Sequence, residues 1–240
     1  MSPRRAVVTG SSNGIGLAVA RALAADGTEV IGLDVEAGAG EFETIAVDLA
    51  DADAVIEVAT ALAGRGVDVL VNCAGIFAAS PLLELDLAGY RRLLAIDLDA
   101  AVLLMKHLGG GMAERGWGRI VNVTSVHASV SEPGCLAYDV AKAGLEAATR
   151  VAAIELAPHG VLVNAIAPGF VVTRMALADG VDELETPEMH GIYIEAGRLP
   201  LRRGAAPEEV AALVTWLVGS ANTYVTGETI RVDGGLTTRL

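Results

Sequence analysis

Short apolar strands alternate with helical patterns along the chain, which predicts an α/β fold: a doubly wound, seven-stranded parallel sheet with helices on both faces. Three observations carry the prediction. Seven apolar runs of strand length fall near residues 5–9, 29–34, 44–47, 67–71, 118–124, 161–166 and 228–232. Helical patterns fill most of the gaps between them, near 14–26, 52–64, 87–108, 136–157 and 207–219. No repeat, low-complexity tract or linker divides residues 1–240, so one domain is expected.

The first strand, around Ala6-Val7-Val8, runs into Thr9-Gly10-Ser11-Ser12-Asn13-Gly14-Ile15-Gly16 and then into a strong helix former, Leu17 to Ala24. Strand, glycine turn and helix is the context of a phosphate-binding loop. Glycine lets backbone approach a pyrophosphate, and the free N–H groups at a helix start attract its charge. A tight turn uses the same residues, so the turn alone is weak evidence. The second strand, Glu29 to Asp34, ends in an acid that can accept both hydroxyls of an adenosine ribose and would repel a 2′-phosphate. No arginine in Val35, Glu36 or the glycine turn offsets that charge, so the expected cofactor is NAD rather than NADP.

The chain between Val35 and Glu43 is of marginal length for a crossover helix, and a loop or single turn is expected there. By spacing alone Asp48 reads as the N-cap of the next helix. Gly109-Gly110-Gly111 is expected to end the long middle helix early, because each glycine costs about 1 kcal/mol relative to alanine. Asn164 reads as a strand-end hydrogen-bond donor, and Pro168-Gly169 as a turn.

Composition narrows the function. Hydrophobic residues make up 52% and aromatics 4%, so the core is aliphatic. No apolar stretch approaches the length of a membrane span. The first strand begins by about residue 6, so no cleavable signal peptide is expected and the chain reads as cytoplasmic. Cys73 and Cys135 stand apart from each other and from any histidine cluster, which points to a reduced compartment and no metal; a disulfide between them stays open on sequence alone. A net charge of −13 disfavours nucleic acid and anionic membranes as partners.

Tyr138 and Lys142 stand four apart in Tyr-Asp-Val-Ala-Lys, thirteen residues after Ser125. On a helix the two side chains share a face. An ammonium about 4 Å from a phenol oxygen favours phenolate by roughly 4 kcal/mol at an effective dielectric near 20. That is the shift a proton acceptor working near pH 7 requires. An exposed helical pair is the plainer reading. With only two lysines, Lys106 and Lys142, and four tyrosines, chance spacing of this kind is expected in roughly 3% of shuffles.

Together the glycine turn, Asp34, Ser125, Tyr138 and Lys142 resemble the short-chain dehydrogenase/reductase family over nearly the whole length. The resemblance implies a Rossmann-type fold and a dinucleotide-linked alcohol dehydrogenase or ketone reductase. Thr9 to Gly16 matches the family's cofactor turn, which would place Gly10, Ser12, Asn13, Gly14, Ile15 and Gly16 against the dinucleotide. It implies that Asp48 and Leu49 contact adenine. Asn72, Ala74 and Gly75, in Asn-Cys-Ala-Gly, would line the adenine ribose and stabilise the sheet. Pro168 and Gly169 open a segment whose Val171 backbone and Thr173 hydroxyl would bind the nicotinamide carboxamide, and Asp233-Gly234-Gly235 matches the family's ending. Ser125 would hold the substrate oxygen, Tyr138 would be the general acid/base, and Lys142 would lower its pKa and bind the nicotinamide ribose.

The family's fourth catalytic residue, an asparagine, aligns with Asp97 here. An aspartate would add negative charge near Lys142, either weakening its pull on Tyr138 or forming a satisfied ion pair. The segment 174–198 is expected to form a lid over the substrate pocket. Its acids, Asp179, Asp182, Glu183, Glu185, Glu188 and Glu195, read first as solvated faces and disfavour an anionic substrate unless Arg174 or Arg198 points inward. His127 falls where relatives carry substrate-facing side chains; a polar loop histidine is the plainer reading. Small, largely neutral secondary alcohols, polyols and cyclic diols stay open as substrates, and relatives with a shortened second-to-third strand connection act on cyclic dihydrodiols and sugar acids. An NADP(H)-linked ketone reductase and a non-catalytic dinucleotide sensor are the competing readings. The helices at 87–108 and 136–157 occupy positions that form subunit contacts in relatives, most of which are tetramers, although their apolar faces could equally pack on the sheet.

Overall fold

In a computed structural model of the protein, which describes residues 3–36, 40–178 and 180–238, seven strands form one parallel sheet. Their spatial order is β3-β2-β1-β4-β5-β6-β9, with β1 at Arg5–Thr9, β2 at Glu29–Asp34, β3 at Glu43–Ala46, β4 at Val69–Asn72, β5 at Gly118–Val123, β6 at Val161–Pro168 and β9 at Thr229–Val232. The order reverses direction between β1 and β4, and a ligand crevice belongs at the carboxyl ends of the strands beside such a reversal. β4 and β5 are buried along their whole length, so neither alternates apolar with exposed polar residues, and their polar members Asn72, Arg119 and Asn122 are buried with the rest.

The pleat sends neighbouring side chains to opposite faces. Val7, Ile31, Leu33 and Leu70 join one core, roofed by helix α2 (Ala52–Ala63) and the helices α4 (Ala100–Arg115) and α5 (Leu136–Leu156). Ala6, Val8, Val30 and Val71 join the other, roofed by α1 (Gly14–Ala25) and α7 (Pro207–Val218). At the sheet's edge Asn164 donates to the Val225 carbonyl and accepts from the Glu228 N–H, fastening β6 to the chain entering β9.

Strand and helix positions match the sequence reading to within about two residues, with informative exceptions. The described residues between β2 and β3 contain no helix, as expected; residues 37–39 of that connection lie outside the described set. The cap of α2 is Asp51, whose carboxylate accepts from the N–H groups of Asp53 and Ala54, and not Asp48, which bonds Ala50 N–H. The triple glycine does not end the middle helix, which continues to Arg115 and stops at Gly116 in the left-handed region (φ 70°). Tertiary packing outweighs the propensity cost: Gly109 is buried, and a Cβ there would already stand 3.3 Å from Leu156.

A π-helical turn was not foreseen. α3 (Leu87–Leu94) passes through residues Ala95–Asp99 in a wider turn, where Ala100 N–H reaches back five residues to the Ala95 carbonyl, before α4 begins. This bulge turns Asp97 inward, where it is buried. Between β6 and α7 the segment 174–198 makes a two-residue hairpin, β7 (Leu177–Ala178) with β8 (Val181–Asp182), and then α6 (Pro187–Met189) running into a π turn at His190–Glu195. Among the described residues, no helix is long and apolar enough to cross a membrane.

Candidate active site

The carboxyl ends of the central strands open into a cavity of about 750 Å³. Ser125 follows β5, Tyr138 and Lys142 project from the first turns of α5, and Pro168, Gly169, Val171 and Thr173 come from the end of β6. The sequence had these residues far apart in number; the sheet brings them to one space.

Lys142 is buried, with its ammonium 5.4 Å from the centre of the Tyr138 ring and donating to the Val123 carbonyl at 3.3 Å. Its principal partner is Asp97, whose Oδ2 lies 3.1 Å from Nζ; neither side chain is more than 4% exposed. Asp97 Oδ1 accepts from Ile76 N–H at 2.8 Å. Asp97 thus forms a buried ion pair with Lys142, and it also works against the pull of Lys142 on Tyr138. Gly75 makes the approach feasible, because a Cβ there would stand 2.7 Å from Asp97 Oδ2 and 3.2 Å from Lys142 Nζ.

The electrostatics depart from the sequence expectation. Burial pushes the half-buried Tyr138 phenol above its usual value; Lys142 and a hydrogen bond with Ser125 pull it down, while Asp97 and Asp139 push it further up. The net direction is upward. Burial alone would lower the Lys142 pKa, but Asp97 and Tyr138 outweigh it and hold the ammonium charged. Cys73, on the cavity wall, is pushed up to about 12 by burial, so it is a thiol and not a nucleophile.

Tyr138 packs edge-on against Phe77 (5.4 Å between centres) and against His127 (5.7 Å). His127 sits in the short turn after Ser125, its N–H bonded to Ser125 Oγ at 3.2 Å. Its ring Nδ1 is 2.8 Å from Asp139 Oδ1. Cys135 Sγ lies near the same pair, within a three-residue group whose ligand atoms are all within 4.8 Å. Tetrahedral zinc ligands at their usual bond lengths stand roughly 3.3 Å apart, so the 2.8 Å His127–Asp139 contact is a hydrogen bond and not two ligands of one ion.

On the dinucleotide side the fit is good. Asn13, at the N-cap of α1, makes no side-chain capping bond, so the first N–H groups of the helix are left for an anion. Gly10 and Gly14 adopt positive φ; a Cβ on Gly10 would strike Ala74, and one on Gly14 would press on Thr173 at 3.1 Å. A Cβ on Gly16 would collide with the Gly10 carbonyl. Ile15 and Gly75 line the main cavity, while Asn13, Gly14 and Thr173 line a groove that continues from it. Thr9 Oγ1 ties β1 to β4 by accepting from the N–H groups of Cys73 and Ala74, both at 2.9 Å.

Three residues expected at the cofactor have these protein partners. Asp34 accepts from Ser12 N–H at 2.9 Å and Glu36 N–H at 3.1 Å. Asp48 faces Arg92 at 3.3 Å, with buried Leu49 beside it. Asn72 donates from inside the sheet to Asn122, which donates on to Thr149. Arg174, weighed in the sequence only as a substrate contact, instead pairs with Glu36, two residues beyond Asp34, at 3.3 Å.

The segment 174–198 contributes Met175, Ala176, Glu183, Met189, Tyr193, Ala196 and Arg198 to the cavity wall. Of its acids only Glu183 lines the cavity; Asp182 caps its own turn, Glu185 and Glu188 are exposed, Glu195 faces His190, and Asp179 lies outside the described residues. Arg198 points inward and lies over the Tyr193 ring at 5.7 Å, whereas Arg174 does not line the cavity. Sequence reasoning missed Glu132, which accepts from the Tyr193 hydroxyl at 2.9 Å, because only tertiary packing joins residues so distant.

The comparisons with known proteins agree with this geometry. The family model described as enoyl-(acyl carrier protein) reductase matches residues 10–237. The chain is 38% identical to cis-4-hydroxycyclohexanecarboxylate dehydrogenase of Sinomonas cyclohexanicum, covering 98% of this chain and 96% of that one. It is 37% identical to galactitol 2-dehydrogenase (L-tagatose-forming) of Cereibacter sphaeroides, with coverage of 97% and 94%. Among solved structures it resembles a Beutenbergia cavernae protein described as an NAD(P)-dependent gluconate 5-dehydrogenase, with NADP bound at low occupancy: TM-score 0.91, 36% identity, covering 100% of this chain and 98% of that one. With fold, site geometry and full-length similarity in agreement, the chain belongs to the short-chain dehydrogenase/reductase family of oxidoreductases.

Proposed function

We propose that this protein oxidises a secondary alcohol to a ketone with NAD, using Tyr138 as the proton acceptor. The observation that carries the reading is the meeting of Ser125, Tyr138 and Lys142 in one cavity with Ile15, Val171 and Thr173. Bound NAD would supply the hydride acceptor. Ser125 orients the substrate hydroxyl and donates to the oxygen as it becomes a carbonyl. Tyr138 takes the hydroxyl proton in the oxidation direction and returns it in reduction. Lys142 holds positive charge beneath the Tyr138 ring, and Asp97 keeps that ammonium charged and in place. The segment 174–198 acts as the lid, with Tyr193 and Glu132 fastening its inner face.

Replacing Tyr138 with Phe should lower kcat/KM at least a hundredfold, the smaller end of what a general acid–base supplies, while NAD binding persists. A Tyr138→Phe protein with near-normal turnover would reject the scheme. In the reductive direction the same residues run the reaction backwards, and the ratio of alcohol oxidation to ketone reduction in crude substrate panels decides the physiological direction.

One observation favours NADP as a second reading. Arg174 is paired with Glu36 near the Asp34 end of the site and is a candidate partner for a 2′-phosphate. Asp34 favours NAD, because its carboxylate already sits against the glycine turn at Ser12. Kinetics with each cofactor separate the two. For assembly we infer a homo-tetramer: Val102, Val140, Val151 and Ile154 on α4 and α5 are 39–75% exposed, an apolar face that a second copy can cover. Sedimentation tests it.

A further inference from the structure

We propose that His127, keyed by Asp139, forms a subsite that accepts a hydrogen bond from a second hydroxyl of the substrate, so that the enzyme is built for diols or polyols. The inference rests on the alcohol-oxidation reading above and adds the substrate class.

The ring of His127 has two nitrogens, and Asp139 holds one of them. The 2.8 Å contact with a carboxylate selects the Nδ1–H tautomer, in which Nε2 is an acceptor. No other hydrogen bond to this ring occurs among the described residues, and Nε2 is not among their sealed, unpartnered polar atoms. The dyad is partly buried, with side chains 21% and 15% exposed, so its geometry is set by packing as well as by the bond.

Its position is equally specific. His127 follows Ser125 by two residues and Asp139 follows Tyr138 by one, so each half of the dyad is fixed to one half of the pair that holds the reacting hydroxyl. The imidazole stands edge-on to the Tyr138 ring, at 72°, on the wall of the same cavity. Both rings border the cavity, so a substrate held at Ser125 and Tyr138 has His127 beside it on the wall.

The remaining wall argues for a hydroxyl over an anion. Glu132 and Glu183 line the cavity too, and burial together with Asp182 and Glu132 pushes the Glu183 pKa upward, as expected where negative charge is crowded. Arg198, over the Tyr193 ring at 5.7 Å, offsets these two acids only in part. A substrate hydroxyl satisfies an acceptor such as Nε2 without adding charge, whereas a carboxylate meets a like-charged wall.

The test is steady-state kinetics with NAD on cyclohexanol, 1,2-cyclohexanediol and 4-hydroxycyclohexanecarboxylate, for wild type, His127→Leu, His127→Gln and Asp139→Asn. We expect wild type to favour the diol. His127→Leu should lower kcat/KM for the diol about tenfold more than for cyclohexanol, the value of one hydrogen bond, chiefly through KM. His127→Gln, which keeps an acceptor, should recover part of that loss, and Asp139→Asn should move in the same direction as His127→Leu. Equal losses on the diol and on cyclohexanol, no loss on either, or a wild-type preference for the carboxylate that His127→Leu abolishes would each overturn the inference. Should wild type oxidise none of the three nor any broader alcohol panel, the parent reading falls and takes this one with it. Thermal melts of all four proteins separate misfolding from lost recognition, and the Gln and Asn variants decide the matter if the Leu variant fails to fold.

Discussion

Replacing Asp97 with Asn removes one charge from the catalytic centre while keeping an oxygen for the Ile76 N–H. At 5.4 Å from the Tyr138 ring, the Lys142 ammonium favours phenolate by about 3 kcal/mol at an effective dielectric near 20. The Asp97 carboxylate, farther from the ring by up to the 3.1 Å ion-pair length, opposes it by about 2 kcal/mol on the same scale. Removing that opposition lowers the pH at which Tyr138 ionises by on the order of one unit. The sign follows directly: Asp97 pushes the phenol up, so its loss brings the phenol down. The acid limb of kcat/KM for alcohol oxidation should therefore move to lower pH, measured by initial rates from pH 5 to 10 with saturating NAD. The shift requires Lys142 to stay charged without Asp97, with the Val123 carbonyl and Tyr138 as its remaining partners. An acid limb that stays put, or moves upward, refutes the reasoning and means that Asp97 acts by holding Lys142 charged rather than by screening it. Asp97→Ala is the contrasting case. It strands a buried ammonium and should cost about 3–5 kcal/mol of stability, read by urea unfolding at neutral pH.

Three further outcomes are expected. Gly75→Ala should lower activity at least tenfold and reduce the melting temperature, because its Cβ would press on the Asp97–Lys142 pair from 2.7 Å; a variant with wild-type kinetics would show that the pair is free to shift. Asp34→Ser should raise the kcat/KM ratio of NADP to NAD at least tenfold by removing the charge facing a 2′-phosphate, checked with both cofactors at one substrate concentration. Gly110→Ala should stabilise the protein by about 0.5–1 kcal/mol in denaturant melts, since that glycine is helical, exposed, and has nothing within 4 Å of its would-be Cβ.

How far the sequence could be read follows from the range of the forces involved. Strand and helix positions follow from local periodicity, and the sheet's central strands are apolar enough to need no partner to be recognised. The glycine turn, Ser125, Tyr138 and Lys142 are legible because their spacing is itself the chemistry. The triple glycine misled because Leu156, forty-seven residues from Gly109, packs on it and rewards a small residue there. Tyr138 misled in another way. Spacing gives the distance to Lys142 but not the burial that raises the phenol, nor the carboxylate on a different helix that opposes the lysine. His127 and Asp139 were each visible in sequence beside a catalytic residue, yet nothing local says that a loop residue and a helix residue meet at 2.8 Å.

Asp97, Gly75 and the π turn belong together. A regular helix through Ala95–Asp99 would shift residue 97 around the axis, and the wider turn is what aims its carboxylate at both the Ile76 N–H and the Lys142 ammonium. That approach needs a residue without a side chain at position 75, where a Cβ would press on both the carboxylate and the lysine. The pair then has almost no net charge, so it holds Lys142 firmly in a dry site at the cost of part of its leverage on Tyr138. On the proposed reading, the positive charge of oxidised nicotinamide would help to ionise the phenol where the neutralised Lys142 pulls less, and the uncharged reduced ring would not, so Tyr138 would be most readily ionised in the state from which alcohol oxidation starts.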